Sequence, residues 1–254
     1  MSSEILIARC GLVRYEDGLR LQRALEAKRQ ADAIPDVLVL LEHPPVYTKG
    51  RRVTESELPM GEQWYEAQGI EVLDTNRGGH VTYHGPGQLV AYPIVSLAPY
   101  DNDVHEYVRG LERVMIGALA EHGVRAGLIP GETGVWVGGP RGEDGNLTLA
   151  PGPDGELALK IGAIGLHVSR GVTTHGFAVN VANDLQPFSW VLACQIEGGR
   201  VTSLSRELGS EQSVDEFADT VVASYGEVFD RTPRTVDSAE LGLDVPIATL
   251  KGAL

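Results

Sequence analysis

The chain has 254 residues, 43% of them hydrophobic, and a formal net charge of −14: enough apolar material for a sizeable core, and the wrong sign for a partner whose main attraction is phosphate, so neither nucleic acid nor an anionic membrane surface is expected as a general partner. No apolar run approaches the roughly 18 residues of a bilayer span, and the start, Met-Ser-Ser-Glu-Ile-Leu-Ile, lacks a basic segment followed by an apolar one. Cys10 and Cys194 are too few for a disulfide framework or a cysteine-rich zinc site, which fits a soluble, cytoplasmic protein in a reducing compartment.

Glu4 to Cys10 reads as a first strand and Glu16 to Ala33 as a helix, with Leu21, Ala24, Leu25 and Lys28 at three- and four-residue spacing and Pro35 closing it. Val37 to Leu41 is an unbroken aliphatic run, short enough for a strand buried on both faces. It runs into a stiff loop with Pro44 and Pro45 that ends in Lys49, Arg51 and Arg52, the densest basic cluster of an acidic chain. That cluster is either a solvated surface run or a local dock for an anionic partner. Glu55 to Gln68 contains a short helix, and Ile70 to Asp74 forms a strand. Asp103 with Glu106 predicts a capping box before an amphipathic helix. Its Val104, Tyr107, Val108, Leu111, Val114, Met115, Ala118 and Leu119 share one face, and Gly123 ends it.

Gly134 to Val137 is a strand, and residues 138–155, rich in Gly, Pro and Asp, read as a surface insertion around a hairpin with Leu147 to Ala150 as one arm. Leu157 to Val168 is an apolar strand with a single lysine, Lys160. After a turn over Arg170 to Thr174, His175 to Val181 returns as its antiparallel partner. Pro187 to Leu192 forms a short helix, and Ser213 with Glu216 opens a longer one with Phe217, Val221, Tyr225 and Val228 on one side. From Arg231 the signals are weak, and a weakly ordered tail is expected. With no Ser/Pro-rich linker and no internal repeat, the pattern predicts one α+β domain over residues 1–254, a mixed β-sheet flanked by helices.

Three places can carry chemistry. Arg77 to Tyr92 packs Gly78, Gly79, Gly85 and Gly87 together with Arg77, His80, Tyr83, His84 and Gln88, so backbone can approach a ligand among polar groups. The alternative is an ordinary Gly/Pro turn between strands. Lys160, in the middle of a glycine-spaced apolar strand, either snorkels at the sheet's end or sits in a pocket where desolvation would favour its neutral form and make it a general base. Cys194, among Leu192, Ala193 and Ile196, is by default a small buried hydrophobe; Gln195, Gly198 and Gly199 equally suit a loop where a thiol meets substrate. Cys10 reads as core. His80 and His84 are four residues apart on a Gly/Pro loop, where that spacing does not put them on one face, and no cysteine or carboxylate pattern completes a metal site.

The run from Arg77 through Tyr92 to Pro93 resembles the signature of the lipoyl(octanoyl) transferases, the octanoyl-[acyl-carrier-protein]:protein N-octanoyltransferases. Four further segments resemble the same family in the same order: His43 to Thr48; Lys160-Ile161-Gly162-Ala163-Ile164-Gly165; His175-Gly176 with Asn180; and Cys194 followed by Thr202-Ser203-Leu204. The likeness runs from roughly residue 10 to 230. It departs in three places: Ala193-Cys194-Gln195 stands where the family usually has Pro-Cys-Gly, Lys49 where it has a small aliphatic residue, and the 138–155 insertion is longer than common.

The resemblance implies a fold similar to the catalytic domain of biotin and lipoate protein ligases. It implies that Cys194 takes an octanoyl group from octanoyl-acyl carrier protein as a thioester and that a lysine of a lipoyl domain, in 2-oxoacid dehydrogenases or the glycine cleavage H protein, then accepts it. Lys160 would be the acid/base, and a partner is needed because a free thiol of pKa about 8.5 is only a few per cent thiolate at neutral pH. Arg77, Gly78, Gly79, Tyr83, His84, Gln88, Tyr92, Gly162, Ala163, Ile164, Gly165, His175, Gly176 and Asn180 would bind substrate, with amides of Gly78 to Gly79 or Gly162 to Gly165 holding the oxyanion and Leu159, Ile161 and Ile164 lining the acyl chain. Neither a cofactor nor a metal is implied. Three alternatives stand beside this: an ATP-dependent lipoate or biotin protein ligase of the same fold, against which no Gly-Arg-Gly-Arg-like loop is visible; a non-catalytic binding protein; and a cysteine hydrolase, whose acceptor would be water.

Overall fold

The computed structural model describes residues 3–192, 200–237 and 240–241. β1 (Glu4–Leu12) leads through α1 (Tyr15–Gln30) to β2 (Val37–Glu42), which returns parallel to β1, as a helical crossover requires. Acidic Glu16 and Asp17 in the first turn of α1 and basic Lys28 and Arg29 in its last complement the helix dipole. The helix stops short of Ala33, and Asp32 takes left-handed backbone just beyond it (φ 52°).

β3 (Val46–Lys49) leaves this sheet and forms a second one of three strands with β4 (Glu71–Asp74) and β5 (Val81–His84), in the order β4-β3-β5. Between them lie a 3-10 turn, Glu55–Glu57, and α2 (Glu62–Ala67). β6 (Gln88–Ile94) rejoins the main sheet antiparallel to β2. α3 (Val104–Glu121) is capped by the Asp103 carboxylate, which accepts from the amides of His105 and Glu106, while the Glu106 carboxylate takes Arg113. β7 (Ala126–Ile129), β8 (Glu132–Val137), β9 (Leu159–Ser169) and β10 (Val172–Asn180) follow as antiparallel neighbours. The expected β9–β10 hairpin turns on Arg170 and Gly171 alone, both left-handed (φ 48° and 75°), a two-residue turn whose twist matches the strands. A 3-10 turn at Gln186–Trp190 stands where the short helix was expected. α4 (Leu204–Leu208), α5 (Val214–Phe229) and β11 (Thr232–Val236) complete the described chain. β11 falls in the stretch from Arg231 that shows little sequence signal, because it buries only Val236 and owes its form to parallel pairing with β1.

The main sheet therefore runs β11-β1-β2-β6-β10-β9-β8-β7 with both parallel and antiparallel neighbours, the α+β class expected. Alternation gives it two faces. Ile5, Ile7, Leu38, Leu40 and Leu89 pack with Tyr107, Leu111 and Met115 of α3 and Phe217 and Val221 of α5. Leu6, Ala8, Val37, Val39, Leu41 and Val90 pack with Leu21 and Leu25 of α1. Cover on both faces explains the unbroken aliphatic run of β2, where each large side chain buried contributes about 1.5–3 kcal/mol. Residues 138–155 are tied down by a bridge between Arg141 and Leu147, and Leu147 is buried against Ile129, Trp136 and Ala158. Among the described residues, no helix is long and apolar enough to cross a membrane.

Candidate active site

Toward β10 and β9 the α1 face of the main sheet loses bulk. Register sets Ala178 opposite Ala163 and Gly176 opposite Gly165, and above these small residues a cavity opens, walled by β5, β6, β9, β10 and Tyr15 at the start of α1. Thirteen of the residues implicated by sequence line it: Arg77, Gly79, His84, Gln88, Tyr92, Lys160, Gly162, Ala163, Ile164, Gly165, His175, Gly176 and Asn180. The glycines are needed for clearance. A Cβ on Gly165 would lie 2.9 Å from the Gly78 carbonyl, and one on Gly176 2.1 Å from that of Ala91.

The polar wall sets neutral imidazoles and phenols around the guanidinium of Arg77. His43 is fully enclosed; its Nδ1 donates to the Val13 carbonyl (2.6 Å) and its Nε2 therefore accepts from the Tyr92 hydroxyl (2.7 Å). Burial pulls its pKa down to about 4, against that backbone bond. His84 stacks on Tyr15 at 5.9 Å and donates from Nδ1 to Gln88 Oε1 (2.7 Å). Burial first, then the nearness of His43, Arg77 and His175, holds it well below the usual imidazole range. His175 sits mid-strand with left-handed backbone (φ 55°), held by Gln22 Oε1 on its amide (2.6 Å) and by Asn76 Oδ1 on Nε2 (2.7 Å). A non-glycine residue in that region is strained and persists only where its surroundings fix it. Burial, then Arg77, His167 and Arg23, lowers its pKa to about 3. The cation, Arg77, is committed to Thr48 through Nε to Oγ1 (3.0 Å) and through the terminal nitrogen to the carbonyl (2.5 Å), so it clamps the small sheet to the cavity wall.

Lys160 lines the same cavity. Its Nζ lies 5.1 Å from the centroid of the Trp136 ring, a cation–π distance, and its stem crosses Gly134 so closely that a Cβ there would sit 2.8 Å from Cε. Gly134 has φ 117° and gives its amide to the buried carboxylate of Glu112 (3.0 Å), whose pKa is raised chiefly by burial. The Lys160 backbone pairs with the strand-like segment that follows residue 199: its amide donates to the Arg200 carbonyl (2.8 Å) and its carbonyl accepts from Thr202 (3.0 Å). Hydrogen bonds from His84 to Gln88, from Gln88 to Asn180 (2.9 Å) and from Asn180 to the Thr202 carbonyl (3.0 Å) fix that segment from the other side. Cys194 itself lies outside the described residues.

Residues 14–226 match the profile of the lipoyl protein ligase A/B catalytic domain. The chain belongs to that family. It is 43% identical over 229 residues to the octanoyltransferase of Mycolicibacterium smegmatis, a match covering 90% of this chain and 91% of that one. It is 42% identical over 248 residues to the octanoyltransferase of Myxococcus xanthus, covering 98% of this chain but 65% of the length of that relative. In fold it is similar to the bi-partite lipoate protein ligase of Thermoplasma acidophilum, with a TM-score of 0.64, 18% identity, and coverage of 95% and 90%.

Within this lipoyl protein ligase A/B fold, several expectations change. Tyr83 does not line the cavity; it is buried in the aromatic cluster with Tyr47 and Phe188. Gly78 also stands outside the lining, its amide taken by the Leu166 carbonyl (3.0 Å). Leu159 and Ile164 pack toward the α3 cluster, so the cavity meets Ile164 through its backbone and the apolar wall comes from Val81, Val90, Ala178, Phe188 and Val201. Lys49 is paired with Glu62 (2.7 Å) and Asp74 (3.2 Å), which leaves Arg51 and Arg52 as the exposed cations of that cluster. His80 and His84 take Glu57 and Gln88 as separate partners, and among the described residues no group of three or more His, Cys, Asp or Glu side chains could hold a metal. Tyr15, Glu112 and Glu42, whose carboxylate accepts from the Gly87 amide (2.6 Å), carry no motif; Glu57 left a trace in the Thr54-to-Glu57 spacing of a capping box, which the structure forms.

Proposed function

We propose that the chain is an acyltransferase that takes an octanoyl group from octanoyl-acyl carrier protein onto Cys194 and passes it to a lysine of a lipoyl domain, of 2-oxoacid dehydrogenases or the glycine cleavage H protein, as a step of protein lipoylation. The observation that carries this reading is that Lys160 lines a cavity floored by Ala163, Gly165, Gly176 and Ala178, with its backbone bonded to Arg200 and Thr202, the chain that leads back to Cys194. Cys194 stands two residues beyond Leu192, whose amide bonds the Glu57 carbonyl, and six before Arg200, whose carbonyl takes the Lys160 amide.

In the first half-reaction Lys160 accepts the thiol proton, the sulfur attacks the donor thioester, and the pantetheine thiolate leaves with that proton. One thioester replaces another, so the step costs little free energy. In the second, an amine nitrogen attacks the octanoyl-Cys194 carbonyl; the C–N bond forms, the C–S bond breaks, the nitrogen gives up a proton to a base and the departing cysteine sulfur takes one. The small-residue floor accommodates an unbranched chain where bulkier side chains would fill the space, and the imidazoles of His84 and His175 beside it are held neutral by burial. On the Arg77 loop the Gly78 amide is already committed, so an oxyanion donor there would have to be the amide of Gly79.

Purified protein mixed with octanoyl-carrier protein, without ATP, is expected to gain one octanoyl group by intact mass, labile to hydroxylamine and absent in Cys194→Ala. No adduct on the wild type, or a stable one on the variant, rejects the assignment; transfer of free lipoate that requires ATP would favour the ligase reading instead. For the donor, Arg51 and Arg52 are exposed, and their amides bond the carbonyls of Arg77 (3.1 Å) and Gly79 (3.0 Å) on the cavity wall. Changing both to glutamate is expected to raise KM for the acidic carrier roughly tenfold at low salt, because rim charges act through encounter. An unchanged KM would remove them from the docking surface.

A further inference from the structure

The cavity holds a second nitrogen base. His80 lines it together with Lys160, and its Nδ1 lies 2.8 Å from Oε1 of Glu57. That carboxylate is buried and also accepts from the amides of Thr54 (3.0 Å) and Val81 (3.0 Å). Burial opposes its charge, but the bonds from Val81, His80 and Thr54 together hold the Glu57 carboxyl below the usual carboxylate range, so it is ionised at neutral pH. A carboxylate only accepts; Nδ1 of His80 therefore carries the hydrogen, and the neutral ring keeps its lone pair on Nε2. Among the described residues Nε2 has no hydrogen-bond partner. A ring oriented by a carboxylate through one nitrogen and open at the other is the arrangement of a general base.

Glu57 also ties this ring to the nucleophile's segment. Its carbonyl accepts from the amide of Leu192 (3.0 Å), two residues before Cys194. The other charged or titratable groups on the shared wall are Lys160, Arg200, Arg77, His84, His175, Tyr15 and Tyr92.

Resting on the thioester reading above, we propose that His80, oriented by Glu57, is the base for the second half-reaction. As the acceptor amine attacks, the C–N bond forms and the C–S bond breaks; the amine proton passes to Nε2 of His80, and the departing thiolate takes a proton from the Lys160 ammonium. Exchange with solvent resets both groups. The division of labour has a chemical reason: with Nδ1 bonded to Glu57, the neutral ring offers the lone pair of Nε2 to the incoming amine, while Lys160 in its protonated form has a proton to give the departing sulfur.

The test uses full-length protein carrying octanoyl on Cys194, mixed with a lipoyl domain in single turnover and followed by intact mass over about pH 5.5 to 8, the range in which imidazole titrates. His80→Asn keeps an N–H for Glu57 and removes the base. It is expected to acylate at close to the wild-type rate, to discharge about 10²-fold more slowly, and to lose the rise of discharge rate with pH. Glu57→Gln is expected to slow discharge too and to move that rise to lower pH, since the ring loses the charge that supports its protonated form. A His80→Asn protein that discharges at the wild-type rate with the wild-type profile overturns the proposal alone, and so does equal slowing of both half-reactions, which would mark a structural role. Absence of any adduct on the wild type would instead remove the thioester reading, and this proposal with it.

Discussion

Lys160→Ala is expected to leave the fold intact and to slow both acyl transfers by about 10²–10⁴-fold, the range a positioned proton-transfer group supplies. The fold should survive because what Lys160 contributes to the sheet is backbone: its amide and carbonyl bond Arg200 and Thr202, and alanine keeps both. What is lost is the side-chain nitrogen above Trp136, and with it the group proposed to take the thiol proton. A companion substitution checks position against identity. Gly134→Ala would force a Cβ to within 2.5 Å of the Gly162 carbonyl and 2.8 Å of Lys160 Cε, at a φ of 117° that alanine rarely adopts. It should cost about 1–3 kcal/mol of stability and displace the lysine stem, so acylation falls with Lys160 still present. Acylation followed by mass, beside thermal unfolding, separates the cases: full activity of Lys160→Ala would end its acid/base role, while equal loss of activity and fold would show the lysine to be structural.

The parts of this molecule legible from sequence are those where one residue's chemistry decides its own placement. Alternation in β1 and β2, the stripe on α3 capped by Asp103, and the small residues of the β9–β10 hairpin each follow from local periodicity. The Arg77 stretch stood out as either a binding loop or a Gly/Pro turn, and in the structure Arg77, Gly79, His84, Gln88 and Tyr92 line the cavity. What stayed hidden depends on long-range partners. Arg77 looks like a ligand-binding cation until Thr48, on another strand, is seen to occupy it. Lys49 looks like docking charge until Glu62 and Asp74 neutralise it. Tyr83 sits in the signature, yet it is buried in the aromatic cluster with Tyr47. Glu57 reads as half of a capping box, and its bonds to His80 and Val81 appear only when the two loops meet. Β11 takes its form from β1, the strand farthest from it in sequence, so no window around Pro233 contains the information.

Acid is expected to unfold the protein by protonating histidines that the fold keeps neutral. His43 falls from 6.5 to about 4 through burial, His175 from 6.5 to about 3 through burial and then the Arg77 charge, and His84 moves in the same direction for the same two kinds of reason. Unfolded imidazoles take a proton near 6.5, whereas these do not until the pH is far lower, so between those values the unfolded chain holds more protons and stability rises with pH. The contribution is fully present above about pH 6.5 and is lost as the pH falls toward the folded values. For His43 alone it is on the order of 3 kcal/mol at 1.36 kcal/mol per unit. Against a total of about 5–15 kcal/mol for a folded domain, three such groups decide whether the protein stays folded near pH 4.5. Urea titrations at a series of pH values should show stability falling steadily below about pH 6.5, with a shallower slope in His43→Asn, which lacks one of the three titrating rings. Stability that stayed flat down to pH 4.5 would mean the rings are already protonated or already exposed, and the neutral state of His84 and His175 on the cavity wall would go with it.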